Sequence, residues 1–210
     1  MPDFLYALDV AVFRFLNGTL GNPVSDGLMP FLTDLNQTWY GRVLYAGAWL
    51  LLLLRGGKPG RTAAILLVPL IALSDQLSSS VVKKIVMRPR PCHLIDGLPL
   101  VDQIRLLVNC GGGYSFPSSH AVNNFAAATL LSHHFPKWNR YYFGWAALIA
   151  LSRISVGVHY PSDIAGGMLI GMLTAWIFLS AWKMVLLRYP GLDPFPAGHG
   201  GDGQQRPPRP

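Results

Sequence analysis

Charged positions lie far apart along this chain, and the apolar runs between them have the length of membrane helices. Residues 164–182 carry no charge over nineteen positions, enough for a helix to cross a hydrocarbon core of roughly 30 Å. A second run, Val43 to Leu54, is bounded by Arg42 and Arg55, whose long side chains can reach out to the interface. Residues 62–82 carry one charge, Asp75; residues 118–135 carry none apart from histidines, and 141–152 none at all. The pattern predicts five membrane helices, near 39–55, 61–86, 118–134, 140–157 and 161–187. Residues 3–20 set Asp3, Asp9 and Arg14 among Phe, Leu and Val, which reads either as an amphipathic interfacial helix or as a sixth, poorer span. The apolar stretch 23–36 is too short to span and holds Asp26 and Asp34. From Pro190 onward Pro, Gly and Gln dominate, and disorder is expected. The expected architecture is an all-α membrane helix bundle of about six helices. An N-terminal element and linker would occupy 1–38, the membrane core 39–188 and a cytoplasmic tail 189–210.

Composition reinforces this reading. Only 13% of the 210 residues are charged and 51% are hydrophobic, against roughly 25% charged in ordinary soluble domains. All ten acidic residues are Asp, and there is no Glu, although Glu normally fills the wet faces of soluble helices. Disorder, coiled coil and acidic binding modules are excluded, and a soluble enzyme is disfavoured. Asp3 and Asp9 stand where a secretory signal would carry basic residues. Gly167 and Gly171 form a small-xxx-small pair suited to helix packing.

The net charge of +7 is not a nucleic-acid footprint, because the cations sit at the ends of apolar spans rather than in a run interleaved with aromatics. Sorted by alternation of spans, nine fall on one face and seven on the other, with Arg14 unassigned. That margin places the 87–117 loop outside the cytoplasm by the positive-inside rule. The outer face collects Lys83, Lys84, Arg88-Pro89-Arg90-Pro91, then Phe116-Pro117-Ser118-Ser119-His120 at a helix start, then Ser152-Arg153 and His159-Tyr160-Pro161-Ser162-Asp163. Arginine forks and helix N-terminal amides hold phosphate, and two histidines suit a nucleophile and a proton donor. Each piece also has a structural reading: Arg88 and Arg90 as interfacial anchors, Ser118 and Ser119 as N-caps, Asp163 as a dipole partner. Chance would rarely gather all of them on one side. His159 and Asp163 stand four apart, a usable metal-ligand spacing, but the surrounding cations would repel a metal ion. Asp75 is an intramembrane carboxylate, to be paired with a cation, Asn123 or Asn124.

Taken together, these segments resemble the type 2 phosphatidic acid phosphatase superfamily, which includes membrane lipid phosphatases and vanadium haloperoxidases. Its first motif, Lys, six residues, Arg-Pro, is matched by Lys83 and Arg90-Pro91. The second, Pro-Ser-Gly-His, is matched by Pro117-Ser118-Ser119-His120, with Ser at the usual Gly. The third, Ser-Arg, five residues, His, three residues, Asp, is matched by Ser152-Arg153, His159 and Asp163. The resemblance covers roughly residues 60–185. It implies that His159 attacks phosphorus to give a phosphohistidine, with Asp163 holding its imidazole. It also implies that His120 protonates the leaving oxygen and that Lys83, Arg90, Arg153, Ser118 and the Ser119 and His120 amides cradle phosphate. No cofactor or metal is implied. The substrate would be a membrane lipid phosphate presented at the outer face of a bacterial plasma membrane. Undecaprenyl diphosphate is the first expectation; phosphatidate, phosphatidylglycerophosphate or lipid A phosphate is the alternative, and from another class a non-catalytic lipid transporter or scaffold. Membrane spans disfavour a haloperoxidase. Lys84 and Arg88 match no motif position.

The only two cysteines, Cys92 and Cys110, both fall in the 87–117 loop. With His93 as the one extra ligand nearby, a metal site is poorly supplied. In an oxidising compartment a disulfide persists, and a Cys92–Cys110 bridge is expected.

Overall fold

Local chemistry explains where each helix of the computed structural model begins. The structure describes residues 3–95 and 97–193. Helix α1, Asp3–Arg14, runs on into a wider π-turn, Phe15–Thr19. Helix α2, Pro23–Asp34, starts on Asn22, whose side chain accepts from the Val24 and Ser25 amides at 3.0 Å each, with proline at the first helical position, where no N–H is needed. Helix α3, Trp39–Arg55, is capped by Thr38. It turns directly into α4, Gly57–Val86, at Gly57, whose φ of +61° suits a residue without a Cβ. Helices α5, Ser119–His134, α6, Asn139–Ser155, and α7, Pro161–Arg188, complete the bundle.

The five segments predicted as spans are the helices α3 to α7, with α4 beginning four residues earlier than expected; of these, α4 and α7 are long and apolar enough to cross a membrane. The N-terminal region holds two helices rather than one, so there are seven among the described residues. The stretch judged too short to span is helix α2, and its Asn22-Pro23 start was the overlooked signal. Twelve-residue α1 reaches about 18 Å, short of a hydrocarbon core. At the start of the expected tail, Pro190–Leu192 form a further helical turn, and Asp193 accepts from Lys58 Nζ at 2.9 Å. Residues 194–210 of that predicted tail lie outside the described residues.

Helix α5 is the centre, packed by α4, α6 and α7. Close approach is possible because facing residues are small. A Cβ at Gly167 would sit 2.8 Å from that of Ala121, and one at Gly171 would overlap the Val122 carbonyl. Ala126, Ala128, Ala146, Ala150 and Ala175 are buried around the same seam. The outside is the opposite of a soluble surface. Of the most apolar stretches of α4 and α7, only 22% is buried, and Leu169, Leu173, Trp176 and Ile177 point outward. Contiguous apolar surface on this scale is stable where the surrounding medium is hydrocarbon.

The loop between α4 and α5 folds over one end of the bundle. It contains a small antiparallel hairpin, Leu94–Ile95 with Leu98–Pro99. Buried Asn17 fastens this loop to the N-terminal helices: its amide donates to the Arg105 and Ser155 carbonyls at 2.9 and 2.8 Å, and its carbonyl oxygen accepts from the Arg105 amide at 2.9 Å. Arg105 also pairs with Asp26 of α2. The loop rests on Gly157, φ +88°, where a Cβ would meet the Arg105 carbonyl at 2.7 Å. Cys92 and Cys110 are bridged, with Cα atoms 5.9 Å apart across 18 residues.

Closing a loop of that length stabilises by about 3 kcal/mol in the chain-entropy model. Cys92→Ser/Cys110→Ser should therefore lower the melting temperature by roughly 6–12 °C while leaving residual phosphate release, read by thermal unfolding and turnover side by side. Thiol labelling of the denatured, unreduced native chain should find no reactive cysteine; two reactive thiols per chain would refute the bridge.

Candidate active site

Three segments converge beneath the loop: the end of α4 with residues 87–91, the start of α5, and the α6–α7 junction. At the junction, Pro161 fixes the first turn of α7 and Asp163 folds back, its Oδ2 accepting from the Tyr160 amide at 2.8 Å. The same oxygen lies 3.4 Å from His159 Nδ1 and accepts from Ser115 Oγ. Asp163 and His159 are buried, at 0% and 2% exposure. A carboxylate facing Nδ1 favours the tautomer with its proton there, leaving Nε2 as the nitrogen with a free lone pair. Burial pushes the His159 imidazole down to about 4; Asp163 opposes the shift, and the Arg153 and Arg90 charges add to it. His159 is therefore neutral at physiological pH.

The start of α5 supplies the second part. Ser118 is the N-cap residue by position, but its hydroxyl makes no cap hydrogen bond, so the capping explanation for that side chain fails. Its own amide donates to the Asp163 carbonyl at 3.2 Å. Ser119 Oγ is hydrogen-bonded to Ser78 Oγ of α4 at 3.1 Å, so its hydroxyl is engaged away from the cradle. The Ser119 and His120 amides are first-turn N–H groups with no partner inside the helix. The charges of Arg153 and Lys83 act on the His120 ring.

Cations close the site. Arg90 Nη1 donates to the Cys110 carbonyl at 2.8 Å, so the disulfide anchors the guanidinium that the first motif provides. Burial pushes the Arg90 guanidinium down, with Asp163 opposing. Arg153 Nη1 donates to Thr33 Oγ1 of α2 at 2.7 Å. Lys83 lies within range of the charges of Arg90, Arg153, Asp163 and Asp75. Among the described residues, Arg90 Nε, Arg153 Nε, Ser118 Oγ and His120 Nε2 are buried with no hydrogen-bond partner. A buried polar atom left unpaired costs about 1–3 kcal/mol. Four of them, drawn from all three motif segments, make a cluster able to bind a multidentate anion.

The largest omission of sequence reasoning is Arg88. Its Nη1 donates to Asp163 Oδ1 at 2.9 Å and to Ser162 Oγ at 2.6 Å, and its Nη2 to Asp9 Oδ2 at 2.6 Å. The guanidinium lies 3.9 Å above the Tyr160 ring. Asp9 also accepts from the Ser162 amide at 2.9 Å, tying α1 to the third motif. Ser115, Ser162 and Thr33 were missed as well. A carboxylate inside the apolar run of α1 was the signal available for Asp9; Ser115 and Thr33 carried none. Lys84 is exposed, and the Asp75 carboxylate accepts from Asn123 Nδ2 at 3.0 Å. His93 Nδ1 faces the Arg90 amide at 3.4 Å, and His133 and His134 lie at the far end of α5.

Known proteins share this layout. The chain is 30% identical over 184 residues to the lipid A 4'-phosphatase of Bacteroides thetaiotaomicron, covering 85% of this chain and 78% of that one. It is 34% identical over 180 residues to the undecaprenyl-diphosphatase of Sulfolobus acidocaldarius, covering 82% and 76%. The crystal structure of Aquifex aeolicus LpxE superimposes with a TM-score of 0.63 at 28% identity, covering 82% of this chain and 95% of that one. Residues 63–186, which hold all three motif segments, match the PAP2 superfamily. With the fold, the motif spacing and these relatives in agreement, the chain belongs to the PAP2 superfamily and is a lipid phosphatase of the hydrolase class.

Proposed function

We propose that this protein removes phosphate from a membrane lipid through a phosphohistidine, without a metal ion, at the extracytoplasmic surface. The observation that carries the reading is the meeting of a neutral, carboxylate-held His159 with four unpartnered buried polar atoms. His159 Nε2 attacks phosphorus in line while the bond to the leaving oxygen breaks, and His120 gives that oxygen a proton. His120 then takes a proton from water, which attacks the phosphohistidine and frees His159 and phosphate. Lys83, Arg90 and Arg153, with Ser118 Oγ and the Ser119 and His120 amides, balance charge on the non-bridging oxygens. These cations do the electrostatic work a metal would do elsewhere. Arg88 acts through Asp163 and is a positioning residue.

For the substrate, we favour a phosphorylated saccharolipid of the lipid A type. Beside the dyad lies a cavity of about 590 Å³ whose lining includes Asp3, Tyr6, Arg88, Phe116, Tyr160 and Ser162. Ring faces, hydroxyls and a carboxylate are suited to a sugar head group. The likeness to lipid A 4'-phosphatases supports this choice. A polyprenyl diphosphate is the second reading, supported by the likeness to undecaprenyl-diphosphatases. Phosphate release from a panel of lipid A, polyprenyl diphosphate, phosphatidate and phosphatidylglycerophosphate separates them. The saccharolipid reading expects lipid A to have the highest kcat/KM; a higher value for the polyprenyl diphosphate overturns it.

His159→Ala should lower turnover to background and abolish acid-labile phosphoenzyme. His120→Ala should slow leaving-group departure while some phosphoenzyme still forms. Activity should survive a strong chelator and fall with vanadate, a mimic of five-coordinate phosphorus. Restoration by zinc or magnesium after chelation would sink the metal-free mechanism.

A second expectation concerns acid. His159 has a folded-state pKa of about 4, below the unfolded value of roughly 6.5. The unfolded chain therefore binds a proton that the folded one refuses, and this group withdraws stability as pH falls from about 6.5 to 4. His159→Gln should lose less melting temperature than the native protein over that window; equal losses would contradict the buried, neutral imidazole.

Removing the Arg88 guanidinium should act on kcat rather than KM. Arg88→Ala should lower kcat by about 10–100-fold, in line with other outer partners of catalytic groups, with Arg88→Lys partly restoring it. Asp9→Asn should have a smaller effect of the same kind. A rise in KM at unchanged kcat would instead make Arg88 a substrate contact.

A further inference from the structure

Helix α5 carries polar chemistry at both ends. Its first turn belongs to the candidate active site; its last, with His133 and His134, is about 20 Å away along the helix. There the start of α4, the end of α5 and the C-terminal half of α7 line a cavity of about 520 Å³. Lys58 and Lys183 bring positive charge to its wall, and Asp193 is the carboxylate, held by Lys58 at 2.9 Å. Arg55, Arg61 and Lys137 lie in the segments that flank this end. Trp182 Nε1 and His134 Nε2 are buried without a hydrogen-bond partner. The indole N–H can only donate, so an acceptor is what it lacks. Toward the middle of the bundle the wall becomes apolar, through Leu179 and Trp176, and Trp176 is 64% exposed on the outer face of α7. A group that fits must carry negative charge, accept hydrogen bonds and continue into hydrocarbon.

We propose that this cavity binds an anionic phospholipid, its phosphate facing Lys183 and Trp182 and one acyl chain lying along Leu179 and Trp176. Basic pockets between membrane helices favour acidic head groups, each nearby cation contributing on the order of 1 kcal/mol. Interfacial anchoring alone would place Trp182 on the outer surface, where Lys183 lies. Trp182 instead packs against the buried cluster of Leu66, Leu70, Leu130 and Ala175. The site is separate from the phosphatase machinery and does not depend on the catalytic reading.

The test uses the purified full chain in a neutral detergent, titrated with dioleoyl-phosphatidylglycerol, dioleoyl-phosphatidylcholine or inorganic phosphate while thermal unfolding is followed. Phosphatidylglycerol should raise the melting temperature by roughly 3 °C or more, as a ligand that binds only the folded state must; the other two should shift it by about 1 °C or less. The double variant Lys183→Gln/Trp182→Phe should lose most of that shift, read against its own lipid-free melting temperature, and keep its phosphate release. His159→Gln should keep the full shift, which separates this site from the catalytic one. An equal response to phosphatidylcholine, an equal response to phosphate alone, no response at all, or an undiminished response in the double variant would each overturn the proposal. If the double variant does not fold, Lys183→Gln read by lipid retention in native mass spectrometry decides the matter: retention equal to the native chain overturns it.

Discussion

Asp163 has no exposed surface, and a charge taken out of water must be repaid by partners or it destabilises the fold. Here the repayment is complete. One carboxylate oxygen receives the Tyr160 amide and the Ser115 hydroxyl and faces His159; the other receives Arg88. These partners come from the α6–α7 junction and both ends of the long loop. Arg88 then passes the constraint to Asp9, so α1 is held to the same centre. The site is thus positioned by the neutralisation of one buried charge.

The bundle around that centre is organised by size rather than by hydrophobicity. In hydrocarbon, apolar residues gain little by turning inward, so close approach of backbones decides which faces meet. Gly167, Gly171 and the alanines of α5, α6 and α7 supply it. This packing brings the first turn of α7 beside the first turn of α5, which is why the Ser118 amide reaches the Asp163 carbonyl. The widened turn Leu77–Val82 in α4 has a local cause: Ser78 and Ser79 donate to the Asp75 carbonyl and compete with the helical ladder. Such π-segments often mark functional sites, and this one ends where Lys83 begins.

The disulfide and the proposed phosphate cradle are one device. Arg90 stands two residues before Cys92, and its guanidinium is held by the Cys110 carbonyl. The bridge therefore fixes both the backbone and the side chain of a cation proposed to meet the substrate's phosphate. The α2 hydroxyl on Arg153 does the same from the other side.

Five helices, the three motif segments and the cysteine pair were legible in the chain because each is a local pattern: uncharged length, short spacing, or two thiols confined to one loop. Helix α2 was legible in principle, from Asn22-Pro23, but its acidic residues obscured it. The roles of Arg88, Asp9, Ser115 and Thr33 were not legible. Arg88 and Asp163 are 75 positions apart, and Arg153 and Thr33 are 120 apart; no spacing rule links them. Which arginine faces the buried carboxylate and which is left for the proposed phosphate cradle was decided only when the helices packed. Arg88 and Arg90 are chemically identical and two residues apart, and the turn between them points one toward Asp9 and Asp163 and the other toward the Cys110 carbonyl. Pairing of buried charges is a property of three-dimensional neighbours, and the sequence specifies those neighbours only through the fold.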